Sequence, residues 1–315
     1  MRYLLSVLLL LTLLSCETII EIDPPDYETE VVVTSHFNPD SVWSVALHRS
    51  STIGIKQDVS KLYELDAFIT IMSGPNLVDS LYYDGKGLYK PASFKYPLPK
   101  TLYTLNVDIP GQPRLHASSS APPRTLITDY KIELQGSVVE TPVDRVGLYN
   151  IWIEFEDAPS RNMYEIGIYR YIAKQVLGGL PVDSVYQRQD KFESLGPGWY
   201  CGFQSALEVD VEFRGGPGVS CTRLVVTDRN FSGRKHEWSG TLELAFSTNE
   251  SRGNNKVLLL LTSYSNDYVE YARTLAENQD AGPFFEPISV YSNIDGGLGI
   301  FAGYTNTRLI LPLPD

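Results

Sequence analysis

The sequence predicts a mainly β protein in two parts, a β-sandwich over residues 29–121 and a larger β-rich domain over residues 122–315. Apolar and polar residues alternate with a period of two over many short segments, which is the pattern of strands with one buried face. The 24 glycines and 20 prolines supply turn residues between such segments. One segment alone has a helical period, so we expect one amphipathic helix within the second domain.

Residues 1–15 have the parts of an export signal. Arg2 supplies a positive charge, residues 3–14 form an apolar run, and Ser15 is a small residue placed before Cys16. The run is shorter than the about 20 residues that a transmembrane helix needs, and it has the length of a signal-peptide core. Leu13-Leu14-Ser15-Cys16 resembles the lipobox of bacterial lipoproteins. We therefore expect cleavage before Cys16 and acylation of its sulfur; the alternative is a plain secretory signal in which this cysteine is incidental.

Acylation of Cys16 would anchor the chain. Each buried methylene contributes roughly 0.8 kcal/mol, so two or three acyl chains hold a protein on a membrane almost permanently. Residues 16–28 are rich in acidic side chains and contain Pro24-Pro25, so we expect a short tether between lipid and body. The predicted location is the outer membrane, lipid-anchored at the cell surface; which leaflet the protein faces stays open.

Six alternating segments in the first half come at the spacing of strands in a β-sandwich. They are residues 31–37, 42–49, 66–72, 77–83, 101–109 and 114–119. Pro110-Gly111-Gln112-Pro113 separates the last two, which predicts a hairpin. A polar stretch that ends in Pro122-Pro123 follows, and we place the domain boundary there.

The second half alternates in the same way. Clear cases are residues 151–156, 207–214 and 242–246. The helix is predicted near residues 266–279, with Ser265 as its cap and Asp267 close to the positive end of its dipole. Its apolar stripe has the spacing i, i+3, i+4, i+7 and consists of Tyr268, Tyr271, Ala272 and Leu275. We expect this stripe to pack against the sheet.

Composition excludes one class of partner. The chain has 26 basic and 38 acidic residues, a net charge of −12, and loss of residues 1–15 would remove one basic residue, Arg2, to leave −13. No basic stripe is present, which argues against nucleic acid and against electrostatic docking to anionic lipid. The 20 tyrosines and 12 phenylalanines have two interpretations, β-propensity or a surface of aromatic platforms for a glycan or peptide ligand.

Two cysteines remain once Cys16 is acylated. Cys201 and Cys221 form an even pair, and in an oxidising compartment such a pair predicts a disulfide. Closure of the loop of about 20 residues between them would contribute roughly 3 kcal/mol to the free energy of unfolding in the chain-entropy model. Two buried free thiols are the alternative. No histidine lies near either cysteine in sequence, so we expect no metal site there.

No motif in the sequence indicates catalysis or a cofactor. The four histidines form no metal-ligand pair, and no nucleophile elbow, P-loop or dinucleotide-binding glycine motif is present. Glu154 and Glu156 share one face of a predicted strand, about 7 Å apart by strand geometry, and a glycan-acting hydrolase needs two carboxylates. In so acidic a chain we expect such a pair by chance, so our prediction is a protein without enzyme activity, cofactor or metal.

The C-terminal third carries a recognisable motif. Residues 284–301 read FFEPISVYSNIDGGLGIF, which resembles the closing motif of the Bacteroidota lipoproteins known as domain of unknown function 4249. The lipobox with its acidic tether, Val31-Val32-Val33, Ala121-Pro122-Pro123, the helix and residues 226–233 agree in order. Residues 293–297 suit a tight turn whose glycines supply positive φ. Within the closing motif we give a structural role, ahead of ligand contact, to five residues: Asn293, Gly296, Gly297, Gly299 and Phe301.

The resemblance implies a fold and a broad role. It implies an immunoglobulin-like N-terminal β-sandwich and a larger β-rich C-terminal domain. It also implies an accessory to a TonB-dependent outer-membrane receptor, with a part in nutrient capture. The alternatives are a structural or adhesive surface module and, less favoured, the glycan-acting hydrolase.

Overall fold

The computed structural model describes residues 28–51, 58–64, 66–142, 144–159, 162–175, 181–189, 191–194, 200–201, 219–220, 224–247, 256–280 and 288–314. The export signal, Cys16, nearly all of the tether, the strand predicted at residues 207–214 and Cys221 lie outside these ranges. Those features stay predictions.

The described residues form mainly β-strands, which confirms the predicted fold class. The first half contains β1 (Val31–Phe37), β2 (Val45–Arg49), β3 (Phe68–Ser73), β4 (Asn76–Gly85), β5 (Leu88–Pro91), β6 (Leu102–Asp108), β7 (Leu115–Ser120) and β8 (Leu126–Glu140). The second half contains β9 (Asp144–Glu156), β10 (Met163–Gln175), β11 (Pro181–Gln189), β12 (Lys191–Ser194), β13 (Tyr200–Cys201), β14 (Val219–Ser220), β15 (Leu224–Thr227), β16 (Lys235–Ser247), β17 (Lys256–Tyr264), α1 (Asn266–Asp280) and β18 (Leu298–Pro312). Short 3-10 helices lie at Val59–Leu62 and Asp228–Asn230.

The strands form two sheets. The larger has 13 strands in the order β13-β15-β10-β17-β18-β1-β2-β5-β4-β3-β6-β7, with β11 beside β10, and the smaller has five in the order β14-β12-β16-β9-β8. The larger sheet turns back on itself. The backbones of His116 in β7 and Asp295 exchange two hydrogen bonds of 3.2 and 2.8 Å, so β7 lies beside the segment that leads into β18.

The strands of the first half enclose one hydrophobic cluster. Tyr103, Leu105 and Val107 alternate inward along β6 and are nearly inaccessible to solvent, as their period-two pattern predicts. The predicted hairpin is confirmed, since β6 and β7 pair antiparallel with Val107 opposite Leu115. This cluster is not built from residues 29–121 alone, because Ile294 and Phe301 also belong to it. The immunoglobulin-like topology and the boundary at residue 121 stay predictions.

A second cluster lies between the five-stranded sheet and strands β10, β15, β17 and β18. Ile151, Ile153 and Phe155 of β9 face inward and are fully buried, as is Trp238 of β16. The opposite face of β9 and β16 is polar and wet. This is the arrangement of a sandwich in which one sheet covers the other.

Strand β18 belongs to both halves of the protein. Its residues 298–303 pair in parallel with β1, and its residues 304–312 pair antiparallel with β17. The segment between β7 and β8 is bonded to the same strand, because Thr305 Oγ1 donates to the Pro123 carbonyl at 3.1 Å. Arg124 binds both carboxylate oxygens of Asp40 and donates to the Asn306 carbonyl. The two halves are thus joined by a shared strand and by polar contacts along it.

Helix α1 covers the outer face of this joint. The predicted helix at residues 266–279 is confirmed within one residue, and Ser265 Oγ accepts a 3.4 Å hydrogen bond from the Tyr268 amide as its cap. Tyr268 and Val269 pack with Ile300 and Ala302 of β18 in a third cluster. Tyr271 and Ala272 also pack against this cluster, so three of the four residues of the predicted stripe pack as predicted, and Leu275 does not belong to the cluster.

Candidate functional site

The closing motif contacts the strands around it. The side chain of Asn293 pairs with the backbone of Phe301 in both directions: Nδ2 donates to its carbonyl at 2.8 Å, and Oδ1 accepts from its amide at 2.9 Å. The amide side chain thus imitates one residue of a neighbouring strand. It holds β18 where the ring of Phe301 enters the first cluster, 4.7 Å from Phe37 between ring centroids.

The glycines of the motif lie where a side chain has no room. Gly299 has φ +111, and a Cβ there would lie 1.9 Å from the carbonyl oxygen of Val33 in β1. At Gly297 a Cβ would lie 2.8 Å from the carbonyl oxygen of Val31. Gly296 has φ +83 and forms the turn that precedes the strand. The predicted turn ends at Gly297, and β18 already begins at Leu298.

The predicted cysteine pair is only partly within the described residues. Cys201 is the last residue of β13, and it pairs with Leu224 of β15. Cys221 lies outside the described residues, so the disulfide stays a prediction.

Two buried carboxylates belong to a hydrogen-bonded network beside residues 226–233. Asp157 accepts hydrogen bonds from the Tyr164 hydroxyl, from Asn162 Nδ2 at 3.3 Å and from the Gly233 amide at 2.7 Å. Asp228 Oδ2 accepts one from the Asn162 amide at 2.8 Å. Burial, and then the bond to Asp157, raises the pKa of Tyr164. Because both carboxylates are 4% exposed or less and already bonded, this network stabilises two turns and offers no reactive group to a substrate.

In the carboxylate pair found in the sequence, Glu156 is exposed to solvent and Glu154 is already bound by neighbouring side chains. Glu154 Oε1 lies 2.7 Å from Lys235 Nζ and accepts a 2.7 Å hydrogen bond from Thr128 Oγ1. These two contacts, Lys235 first, lower the pKa of Glu154. A general acid needs a raised pKa. Within the part of the chain that the structure describes, no three His, Cys, Asp or Glu side chains are placed to hold a metal ion.

An exposed apolar surface lies on the loop between β5 and β6. Phe94, Tyr96 and Leu98 are 84%, 50% and 62% exposed. They occupy alternate positions of a segment without regular secondary structure. Leu77 of β4 is 58% exposed and precedes Val78, whose carbonyl accepts a hydrogen bond from Lys95 of this loop. We call Leu77, Phe94, Tyr96 and Leu98 the loop patch.

The loop that carries the patch is held in place. Ser93 Oγ donates to Asp79 Oδ2 at 2.5 Å, Lys95 Nζ donates to the Val78 carbonyl at 2.7 Å, and the Leu98 amide donates to the Tyr103 hydroxyl at 2.9 Å. Prolines at positions 91, 97 and 99 restrict its backbone further. Its order is therefore not due to burial of the apolar side chains. A fixed loop that exposes aromatic residues loses little entropy when a partner binds.

The charge of the patch differs from that of the whole chain. Residues 91–101 contain Lys95 and Lys100 and no acidic residue, in a chain of net charge −12. This patch was not predicted from the sequence. The available signal was three apolar side chains at alternate positions between prolines, which by itself is indistinguishable from a buried strand.

Comparisons with known proteins give one family. The family described as domain of unknown function (DUF4249) matches residues 17–310, and no curated protein matches the chain. Among solved structures, a DUF4785 family protein from Legionella pneumophila subsp. pneumophila str. Philadelphia 1 is similar over 75% of this chain and 52% of that one, at 10% identity and a TM-score of 0.21. The chain spans about half of that protein, and a TM-score so low supports no inference about this one. In the described residues no helix has the length and apolar character to cross a membrane.

Proposed function

This chain belongs to the DUF4249 family, whose model covers residues 17–310, and we propose that it is a non-enzymatic lipoprotein. We infer from the family and from the exposed loop patch that it assists an outer-membrane TonB-dependent transporter. In this proposal acyl chains on Cys16 hold the protein on the outer membrane at the cell surface. The body captures or presents a nutrient, and the loop patch contacts the transporter.

The loop patch is the observation that carries the proposal. Large apolar side chains that stay exposed on an ordered loop are typical of protein-binding surfaces, and aromatic residues are enriched at the centres of such surfaces. Lys95 and Lys100 favour a partner with acidic groups around an apolar centre. The polar contacts that already engage Glu154 and Asp157 support binding rather than catalysis as the role of the body.

Affinity purification of the intact protein from outer membranes tests this function. We expect a TonB-dependent transporter to co-purify with the unmodified protein and to be lost from the variant Phe94→Ser/Tyr96→Ser/Leu98→Ser. Phe68→Ser/Tyr82→Ser is the matched control, because Phe68 and Tyr82 are 56% and 58% exposed outside the patch. The control should retain the transporter, and both variants should unfold at the temperature of the unmodified protein.

Two results would contradict the proposal. One is recovery of no transporter with the unmodified protein; the other is equal recovery with the patch variant. If deletion of the gene left nutrient uptake intact and abolished attachment of cells to a surface, the alternative of an adhesive module would replace it. Binding of the purified protein to lipid vesicles through the patch, without a transporter, would likewise assign the patch to the membrane.

A further inference from the structure

A shallow groove lies on the solvent-facing side of the five-stranded sheet, far in sequence from the loop patch. Six outward-facing side chains form two rows across strands β8, β9 and β16. The first row is Lys131, Trp152 and Ser239, and the second is Glu133, Asn150 and Thr241. Members of a row are direct cross-strand neighbours, whose Cβ atoms lie about 5 Å apart in such pairs.

The groove results from the sizes of these side chains. Ser239 is short and lies beside the indole of Trp152, and the backbone of Ile151 and Gly240 forms the floor. The groove has a volume of about 190 Å³. Pockets for drug-sized ligands have volumes of about 300–1,000 Å³. This groove therefore suits one small ring of a ligand, with the remainder of that ligand lying along the sheet.

Polar contacts fix the side chains that line the groove. The Trp152 indole N–H donates to Glu237 Oε2 at 3.1 Å, so the ring has one orientation on the sheet. Thr241 Oγ1 donates a 2.7 Å hydrogen bond to Asn150 Oδ1, so Asn150 Nδ2 takes no part in that bond. A binding site of this kind is pre-organised before any ligand arrives.

The chemistry of the lining selects a class of ligand. Trp152 is the large apolar group of the two rows and is surrounded by hydroxyl, amide, amine and carboxylate groups. A pyranose ring has the complementary surface, because its C–H groups are attracted to the negative face of an indole while its hydroxyls donate and accept hydrogen bonds. The charges around the groove are of both signs, since Lys131 Nζ lies 2.8 Å from Glu133 Oε1. With Glu237, which binds the indole N–H, two carboxylates and one ammonium surround the groove, and this slight negative charge disfavours an acidic sugar relative to a neutral one.

We propose that this groove is a saccharide-binding subsite, in which Trp152 stacks against one neutral pyranose ring while Asn150, Ser239 and Thr241 hydrogen-bond to its hydroxyls. The subsite does not depend on the transporter partner, because its residues lie on strands β9 and β16 and the loop patch lies between β5 and β6.

Binding to defined oligosaccharides tests the subsite. The intact protein in detergent is titrated calorimetrically with maltohexaose, cellohexaose, xylohexaose, mannohexaose and, as the acidic counterpart, hexagalacturonic acid. We expect at least one neutral hexasaccharide to bind. Trp152→Ala should weaken that binding by about tenfold or more, and Trp152→Phe should retain part of it. Ser239→Trp, which fills the groove, should abolish it.

Tyr130→Ala is the matched control. Tyr130 is an exposed aromatic residue of β8, 48% accessible to solvent and outside the groove, so its removal should leave the affinity unchanged. The proposal is overturned if none of the neutral hexasaccharides binds, if Trp152→Ala binds as well as the unmodified protein, or if hexagalacturonic acid alone binds. Loss of saccharide binding leaves transporter co-purification unaffected, and the reverse also holds, so failures of the two proposals are distinguishable.

Discussion

Replacement of Gly299 in strand β18 by alanine should destabilise the protein strongly. The φ of +111 at this position lies in a region that L-residues avoid, and such a conformation costs about 1–3 kcal/mol. The new Cβ would also lie 1.9 Å from the Val33 carbonyl oxygen, and no rotamer change relieves this contact, because the backbone fixes the position of both atoms. Strands β1 and β18 must therefore separate around the pair Val33 and Gly299.

The two costs can be added and measured. Separation that removes two ladder hydrogen bonds costs about 2 kcal/mol, since each contributes roughly 1 kcal/mol. With the backbone strain, Gly299→Ala should lower the free energy of unfolding by about 4 kcal/mol. Equilibrium unfolding in urea, followed by circular dichroism, measures this change.

Gly111→Ala is the control, because it carries the backbone strain without the contact between Cβ and a neighbouring strand. Gly111 lies in the turn between β6 and β7 with φ +76, and no atom lies within 4 Å of where its Cβ would be. Its replacement should therefore cost only the backbone strain, about 1–2 kcal/mol. Equal destabilisation by the two variants would refute the reasoning, because it would mean that β1 yields to the added methyl without loss of pairing.

Three further predictions concern a histidine, a glycine and the anchor. Burial lowers the pKa of His236 to about 4, whereas a histidine of the unfolded chain titrates near 6.5. Between these values the folded state binds fewer protons than the unfolded chain. The free energy of unfolding should therefore fall by up to about 3 kcal/mol as the pH drops from about 6.5 to 4. His236→Phe, which keeps a ring stacked on Phe231, should flatten this slope in urea titrations between pH 4 and 7, and an unchanged slope would show that other groups cause it. Gly240→Ala should lower the free energy of unfolding by about 1–3 kcal/mol through overpacking, because its Cβ would lie 2.4 Å from the Trp238 ring. Addition of Trp238→Phe should then restore part of the lost melting temperature. A double variant that melts no higher than Gly240→Ala would count against this contact. Cys16→Ser should release the protein from membranes in fractionation followed by mass spectrometry of the mature N-terminus, and a membrane-bound, unacylated product would contradict lipid anchoring.

Local features of the fold were predictable from the sequence. The strand predicted at residues 31–37 and the helix near 266–279 have almost the observed bounds, because a two-residue or 3.6-residue period is a property of the segment itself. The strand predicted at residues 42–49 begins at Val45 instead. Strand β5, Leu88–Pro91, was missed, since four residues with a terminal proline are too few to show a period.

Pairings between distant segments were not predictable. Nothing local marks residues 298–303 as partners of β1, and a parallel pair of strands leaves no hairpin turn in the sequence. The need for glycine at position 299 was not predictable either, because it comes from the carbonyl group of Val33, which is distant along the chain. Turn chemistry is the only local explanation that the sequence offers for the motif glycines. The groove beside Trp152 likewise depends on the register of three strands, since Ser239 and Lys131 become its neighbours only through pairing.

The shared strand imposes an order on folding. One edge of β1 has its partner in residues 298–303, which are synthesised after all the other strands that the structure describes. A growing chain can form the hairpins of its first third early, but that third keeps an unsatisfied strand edge and lacks Phe301 in its hydrophobic cluster until β18 has been synthesised. Nascent chains shortened before residue 298 should therefore present β1 to chaperones and proteases, whereas a chain that includes β18 covers this strand edge.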